Sequence, residues 1–206
     1  MDEQHSNNIS LVPAQRSGKA IDAASSVELN NEKIAVVFYE IVKNRLQHVN
    51  SWSIIAEGIS ASFQLVNREG IEVYRKAAEG DFIKIDIPGP GSKSGRGFDW
   101  VRIEAMENLS NGDGEESFGF RVRPSDNPLH GKGDTAHFYS HESTSTFIVS
   151  RHENIVSASV FDRNIKKNSD AEQVTDRVRD GIVAGVAIIS FSHIQWKNLT
   201  NGLVSR

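Results

Sequence analysis

The chain has 206 residues, a formal net charge of −4, 38% apolar residues and 16 glycines, enough for one domain with a substantial core. The acidic balance disfavours a polyanionic partner such as DNA, and the absence of cysteine excludes a disulfide framework, a thiolate metal site and a cysteine nucleophile. The N-terminal MDEQHSNNIS lacks the basic-then-apolar order of a signal peptide, and no apolar run reaches membrane-spanning length, so the expected setting is the cytoplasm.

Residues 1–28, rich in Ser, Asn, Gln and Ala, read as a mobile tail; residues 29–206 read as a single α+β domain. From Asn31 to Val49 apolar residues recur at helical spacing: Ile34, Val37, Phe38, Ile41 and Val42 share one face, with Asn30 as the expected N-cap. That stripe is assigned to core packing. Ile59, Ala61, Phe63 and Leu65 then alternate with polar residues, and Asn67–Gly70 turns into Ile71, Val73 and Arg75, a predicted hairpin.

A second hairpin organises the chain. Ile83, Ile85 and Ile87 alternate with Lys84 and Asp86, and Val101, Ile103 and Ala105 alternate with Arg102 and Glu104, the period of two half-buried strands. The loop 88–97 between them, PGPGSKSGRG, cannot form helix or central strand, because its prolines lack a donor and its glycines favour turns. A long loop on a rigid hairpin is a place for function. Two phosphate signatures fail there. Ser92 and Ile87 stand where a P-loop needs glycine, and Ser94 stands where the dinucleotide fingerprint needs its third glycine. What the loop offers is a Gly-rich run of backbone N–H groups beside Lys93 and Arg96, chemistry that suits an anion. Asp99 and Trp100 border it, so Lys93, Arg96, Asp99 and Trp100 are the candidate ligand-binding residues.

Beyond Glu104, the turn cluster 108–114 leads into Glu116–Arg123, with Phe118, Phe120 and Val122 on one face. The Phe118-Gly119-Phe120 core matches part of an RNA-recognition signature. Glu116-Ser117 occupy the positions for a base followed by glycine, however, and Arg121 the position for an aliphatic, so these rings are assigned to the core. A second long loop, 124–134, follows. Thr135–Ser140, Thr144–Ser150 and Ile155–Phe161 read as strands, giving about eight, mainly antiparallel because their connections are short. Two capping boxes mark the end of the chain, Ser169 with Glu172 and Ser192 with Gln195. They predict one helix to about Ile189 and another stopping at Gly202 as its C′ residue.

His137 and His141 are candidate metal ligands, with His130 and Glu142 nearby. Spacing of four puts two rings together on a helix, whereas this stretch reads as strand and turn, so no metal or other cofactor is called for. The carboxylates Asp81, Asp86 and Glu104 read as solvent-facing or turn residues, and the basic run Arg163–Asn168 reads as a solvated connector. No Gly-x-Ser-x-Gly nucleophile elbow occurs.

The expected fold is a curved, mainly antiparallel sheet or partly open β-barrel covered by one N-terminal and two C-terminal helices. The function that fits best is a non-catalytic binding module for a small amphipathic or anionic molecule, with loop 88–97 at the site. The alternative is a structural or assembly protein acting through protein–protein contacts, with homo-oligomers open to it. A metal-dependent hydrolase using His137 and His141 ranks behind both. Nucleic acid and membrane are not expected partners.

Overall fold

The computed structural model describes residues 11–59, 61–87, 95–110, 114–129, 136–137, 139–166 and 193–206. It is an α+β fold. Seven strands form one antiparallel sheet in the order β1-β7-β6-β5-β4-β3-β2, and helices pack on one face of it. The strands are β1 Lys19–Glu28, β2 Ser62–Val66, β3 Phe82–Asp86, β4 Asp99–Ser110, β5 Glu115–Pro124, β6 Thr144–His152 and β7 Ile155–Ile165. The helices are α1 Glu32–Gln47, a 3-10 turn at Val49–Ser51 running into the short α2 Trp52–Ile55, and a C-terminal helix, α3, over 193–203.

The organising hairpin forms as its alternation requires. Ile83 pairs with Val101 and Ile85 with Asp99, and Ile83, Val101 and Ile103 are buried in the main core. Ile103 and Ala105 pair with the successive residues Val122 and Arg121, leaving Glu104 unpaired in the ladder, a β-bulge. Alternation from Ile103 already puts Glu104 on the outer face, where Arg121 and Arg123 both donate to its carboxylate; the bulge moves the next core position from Ala105, where alternation would place it, by one residue. Core-face alternation then resumes at Met106, opposite Phe120.

One wall of the sheet is aromatic. Phe120 and Phe147 lie 5.4 Å apart, Trp52 of α2 sits 4.9 Å from Phe147 and stacks on Phe120, and Phe63 meets Trp52 edge-on at 5.3 Å. Such pairs add to the stabilisation from buried apolar area.

Several expectations are corrected. Residues 19–28 belong to the sheet rather than to a tail: β1 runs antiparallel to β7, with Ala23 opposite Val160 and Ser25 opposite Ala158. Its alternating face holds small residues because α3 lies directly on it. Ser25 Oγ is 2.8 Å from Thr200 Oγ1 and 2.6 Å from Asn201 Oδ1. Upstream, Leu11 is buried against the opposite face of the sheet, where its carbonyl accepts from Arg121.

The helix α1 is turned relative to its predicted face. Ala35, Tyr39, Val42 and Leu46 are buried, whereas Ile34, Val37 and Ile41 are exposed. Ala35 permits the backbone to approach the sheet, and Leu46 extends the inward stripe by one turn; the more conspicuous β-branched residues face outward. Its N-cap is Asn31, whose side chain accepts from the Ile34 N–H at 3.0 Å.

The return segment after β2 is not a strand. It makes one isolated bridge, Val66 to Glu72, and is tied down by the Asn50 side chain, which donates to the Val73 carbonyl and accepts from the Leu65 N–H. In the expected strand 135–140, Ala136 joins the sheet by accepting from the Trp100 N–H and donating to the Ser125 carbonyl, and no named strand forms there among the described residues. Seven strands therefore stand where about eight were expected. Gly202 lies inside the last turn of α3 rather than beyond it. A Cβ there would sit 2.2 Å from the Ile55 carbonyl oxygen, so this glycine exists for close packing of α3 on α2. The first capping box, its helix, and Ser192 fall outside the described residues.

Candidate functional site

The β3–β4 and β5–β6 connections leave from one end of the sheet. Their roots lie together: the Ser125 N–H donates to the Trp100 carbonyl, and the Trp100 N–H to the Ala136 carbonyl. On the core face near this end, two carboxylates interrupt an otherwise apolar surface.

The first is Asp162. Along β7, Val156, Ala158 and Val160 are buried on the core face, and strand alternation carries residue 162 to the same face. Asp162 is 1% exposed. Its Oδ2 accepts from Trp196 Nε1 of α3 at 2.9 Å, and the Trp196 ring stands edge-on to Phe147 at 5.2 Å. Ser145 is its cross-strand neighbour. Burial pushes the Asp162 carboxyl up to about 6, against the opposing pull of the Ser145 hydroxyl, the Trp196 indole and the Arg163 charge. Oδ1 has no hydrogen-bond partner within normal geometry. A buried acceptor left in this state costs free energy that a donor on a bound molecule would recover.

The second is Asp99, opposite Ile85 and on the face of Val101. It lies near His137, which is also buried. Burial holds the His137 imidazole below its usual range, partly offset by the Asp99 charge. His137 Nδ1 accepts from the Tyr139 N–H at 2.9 Å, which fixes the ring proton on Nε2 in the neutral form.

The sequence-predicted residues separate. Trp100, next to Asp99, projects to the opposite face of the sheet and is buried with Val66, Ala136, Phe82 and Phe98. Arg96 is exposed, in a left-handed backbone conformation with φ 56°. Lys93 lies outside the described residues. His137 is buried and His141 exposed, so the pair does not converge. Among the described residues no group of three His, Asp or Glu could hold a metal ion. Sequence reasoning passes over Asp162, because it ends the strand at Phe161, where charged residues begin. The available signal is an aspartate continuing the 156-158-160 alternation.

Geometry also limits the chemistry. Asp162 on β7 and Asp99 on β4 are three strand spacings apart, about 14 Å across the sheet, too far to act on one atom as an acid–base pair. They suit two separate polar anchors flanking an aromatic wall. At the other end of the core face, Arg151 is buried and well partnered: it donates to Glu116 at 2.6 Å and to the Glu153 carbonyl at 2.9 Å, and it reaches Glu32 of α1. This network clamps α1 onto β6.

Among the described residues no helix is long and apolar enough to cross a membrane. No protein-family model matches the chain, and no curated protein matches it in sequence. Solved structures do resemble it. A norcoclaurine synthase point mutant from Thalictrum flavum, in complex with a transition-state analogue, is 10% identical over 87% of this chain and 97% of its own, with a TM-score of 0.37. A protein from Thermus thermophilus is 9% identical over 90% of this chain and 94% of its own, with a TM-score of 0.40. The protein Ara h 8.0201 is 10% identical over 89% of this chain and all of its own, with a TM-score of 0.34. At such identities and scores the likeness concerns α+β architecture alone and carries no argument about ligand or reaction.

Proposed function

We propose that the chain is a non-catalytic binding module for a small amphipathic molecule, its apolar body against the Phe147–Trp196 wall and its polar end donating to Asp162. The observation that supports this is one buried carboxylate, on the core face, with an oxygen left without a partner. Apolar enclosure with a few convergent polar groups is the usual make-up of a small-molecule site. An unpartnered acceptor selects a ligand bearing an amine or hydroxyl donor. For a ligand with an acidic group, the 88–97 loop supplies the proposed contacts through Lys93 and Arg96.

Native mass spectrometry of gently purified protein, compared with the same sample denatured, tests the reading. The expected result is extra mass that disappears on denaturation, is reduced in Asp162→Asn and, if the ligand is acidic, is reduced in Arg96→Ala. A bare protein that also shows no thermal shift with long-chain amines, alcohols or carboxylates would overturn it.

A further inference from the structure

We propose that α1 is the contact face of a homodimer, in which the stripe formed by Ile34, Val37 and Ile41 packs antiparallel on the same stripe of a second copy. These residues are 46%, 64% and 44% exposed and recur at i, i+3 and i+7, which places them on one strip of the helix. That strip lies roughly 140° around the helix from the buried stripe of Ala35, Tyr39, Val42 and Leu46 at 100° per residue. A helix apolar on two faces is one that is covered on two faces. The sheet covers one of them.

The charges beside the stripe point to the occupant. Lys33 and Glu40 are seven residues apart, hence on one flank, within about 20° of each other around the helix axis. A two-fold axis near Val37 brings the same flank of both helices together in opposite directions. Lys33 of each copy then meets Glu40 of the other, so the contact carries two complementary pairs, as an isologous interface requires. Glu40 is mostly exposed, and its present partner, the largely covered Lys43, is 3.4 Å away on the same helix, an i,i+3 pair that contributes little to stability. The other flank is already engaged. Arg45 donates to the Leu203 and Ser205 carbonyls and lies over the half-buried Phe38 ring. A lipid surface is disfavoured, because Glu40 interrupts the basic flank that such binding needs.

The contact is small. A helix of 16 residues is about 24 Å long, so the pair falls below standard interface size and its Kd lies in the micromolar range. Sedimentation equilibrium of the full chain up to about 200 µM, well above such a Kd, reads it directly. The parent is expected to associate to a dimer, and Val37→Lys to remain monomeric with an unchanged circular dichroism spectrum. Lys33→Glu is expected to weaken the dimer about tenfold by opposing like charges, and the double exchange Lys33→Glu/Glu40→Lys to restore it. The exchange keeps the test sharp should Val37→Lys fail to fold. A parent that stays monomeric throughout would overturn the proposal, as would a dimer indifferent to Val37→Lys. So would a charge exchange that fails to rescue the single change.

Discussion

Asp162 holds its proton more tightly in the folded chain than in the unfolded one, because burial disfavours its charge. Asp162 therefore leaves stability at its fullest below about pH 4, where the carboxyl is protonated in both states. Stability then falls as pH rises through about 6 and levels off above, by on the order of 3 kcal/mol. Asp162→Asn removes this fall. The variant is expected to exceed the parent by about 2–3 kcal/mol at pH 7.5, with the difference vanishing near pH 4, as measured by urea unfolding at both pH values. An equal difference at the two pH values would mean that the carboxyl does not titrate in this range. His137 works in the opposite sense. Its imidazole is held below the usual range by burial, so its contribution is complete above about pH 6.5 and is lost as pH falls.

Among the elements, α3 docks on α2 with backbone close to backbone. Gly202 leaves no room for a side chain against Ile55, so Gly202→Ala must move one helix off the other. It is expected to destabilise the chain by about 2–3 kcal/mol despite the better helix propensity of alanine, read as a lower urea midpoint. A neutral or stabilising result would show that α3 can shift without cost. The elements differ in how legible they are in the sequence. The β3–β4 hairpin is plain because isoleucines and valines alternate with charged residues through both strands. The strand β1 is hidden because its core-facing positions include Ala23 and Ser25, chosen for closeness to α3 rather than for hydrophobicity. The buried face of α1 is misread because Ala35 and Tyr39 carry less apolar weight than Ile34 and Ile41, and composition cannot tell which of two stripes meets the sheet. The candidate site is the least legible part. Its carboxylates come from β4 and β7, which neighbour each other neither in sequence nor in the sheet, and only the fold turns them to a common face.

In the molecule as a whole, the two sides of the sheet are covered unequally. Helices and the aromatic wall fill one, and the segment around Leu11 covers part of the other. Leu11 is buried beside Gly119, and its carbonyl accepts from Arg121 and lies 3.5 Å from the Thr146 hydroxyl. Leu11→Ala is expected to cost about 2–4 kcal/mol, which for a chain of this size lowers the melting temperature by roughly 5–15 °C. Calorimetry that finds no change would return this segment to the status of a tail. The strand order carries a consequence for how the chain is made. Because β1 pairs with β7 and with no other described strand, it leaves the ribosome well before the strand that is its neighbour. At synthesis rates of roughly 5–20 residues per second, that interval is on the order of ten seconds. Throughout it, Ile21, Ala23 and Val27 have no ladder to join. The polar and small residues that disguise β1 in the sequence, Ser25 and Ser26 beside Ala23 and Ala24, give an unpaired strand little apolar surface to offer another copy, and a pairing of such long sequence separation is expected to form late and slowly.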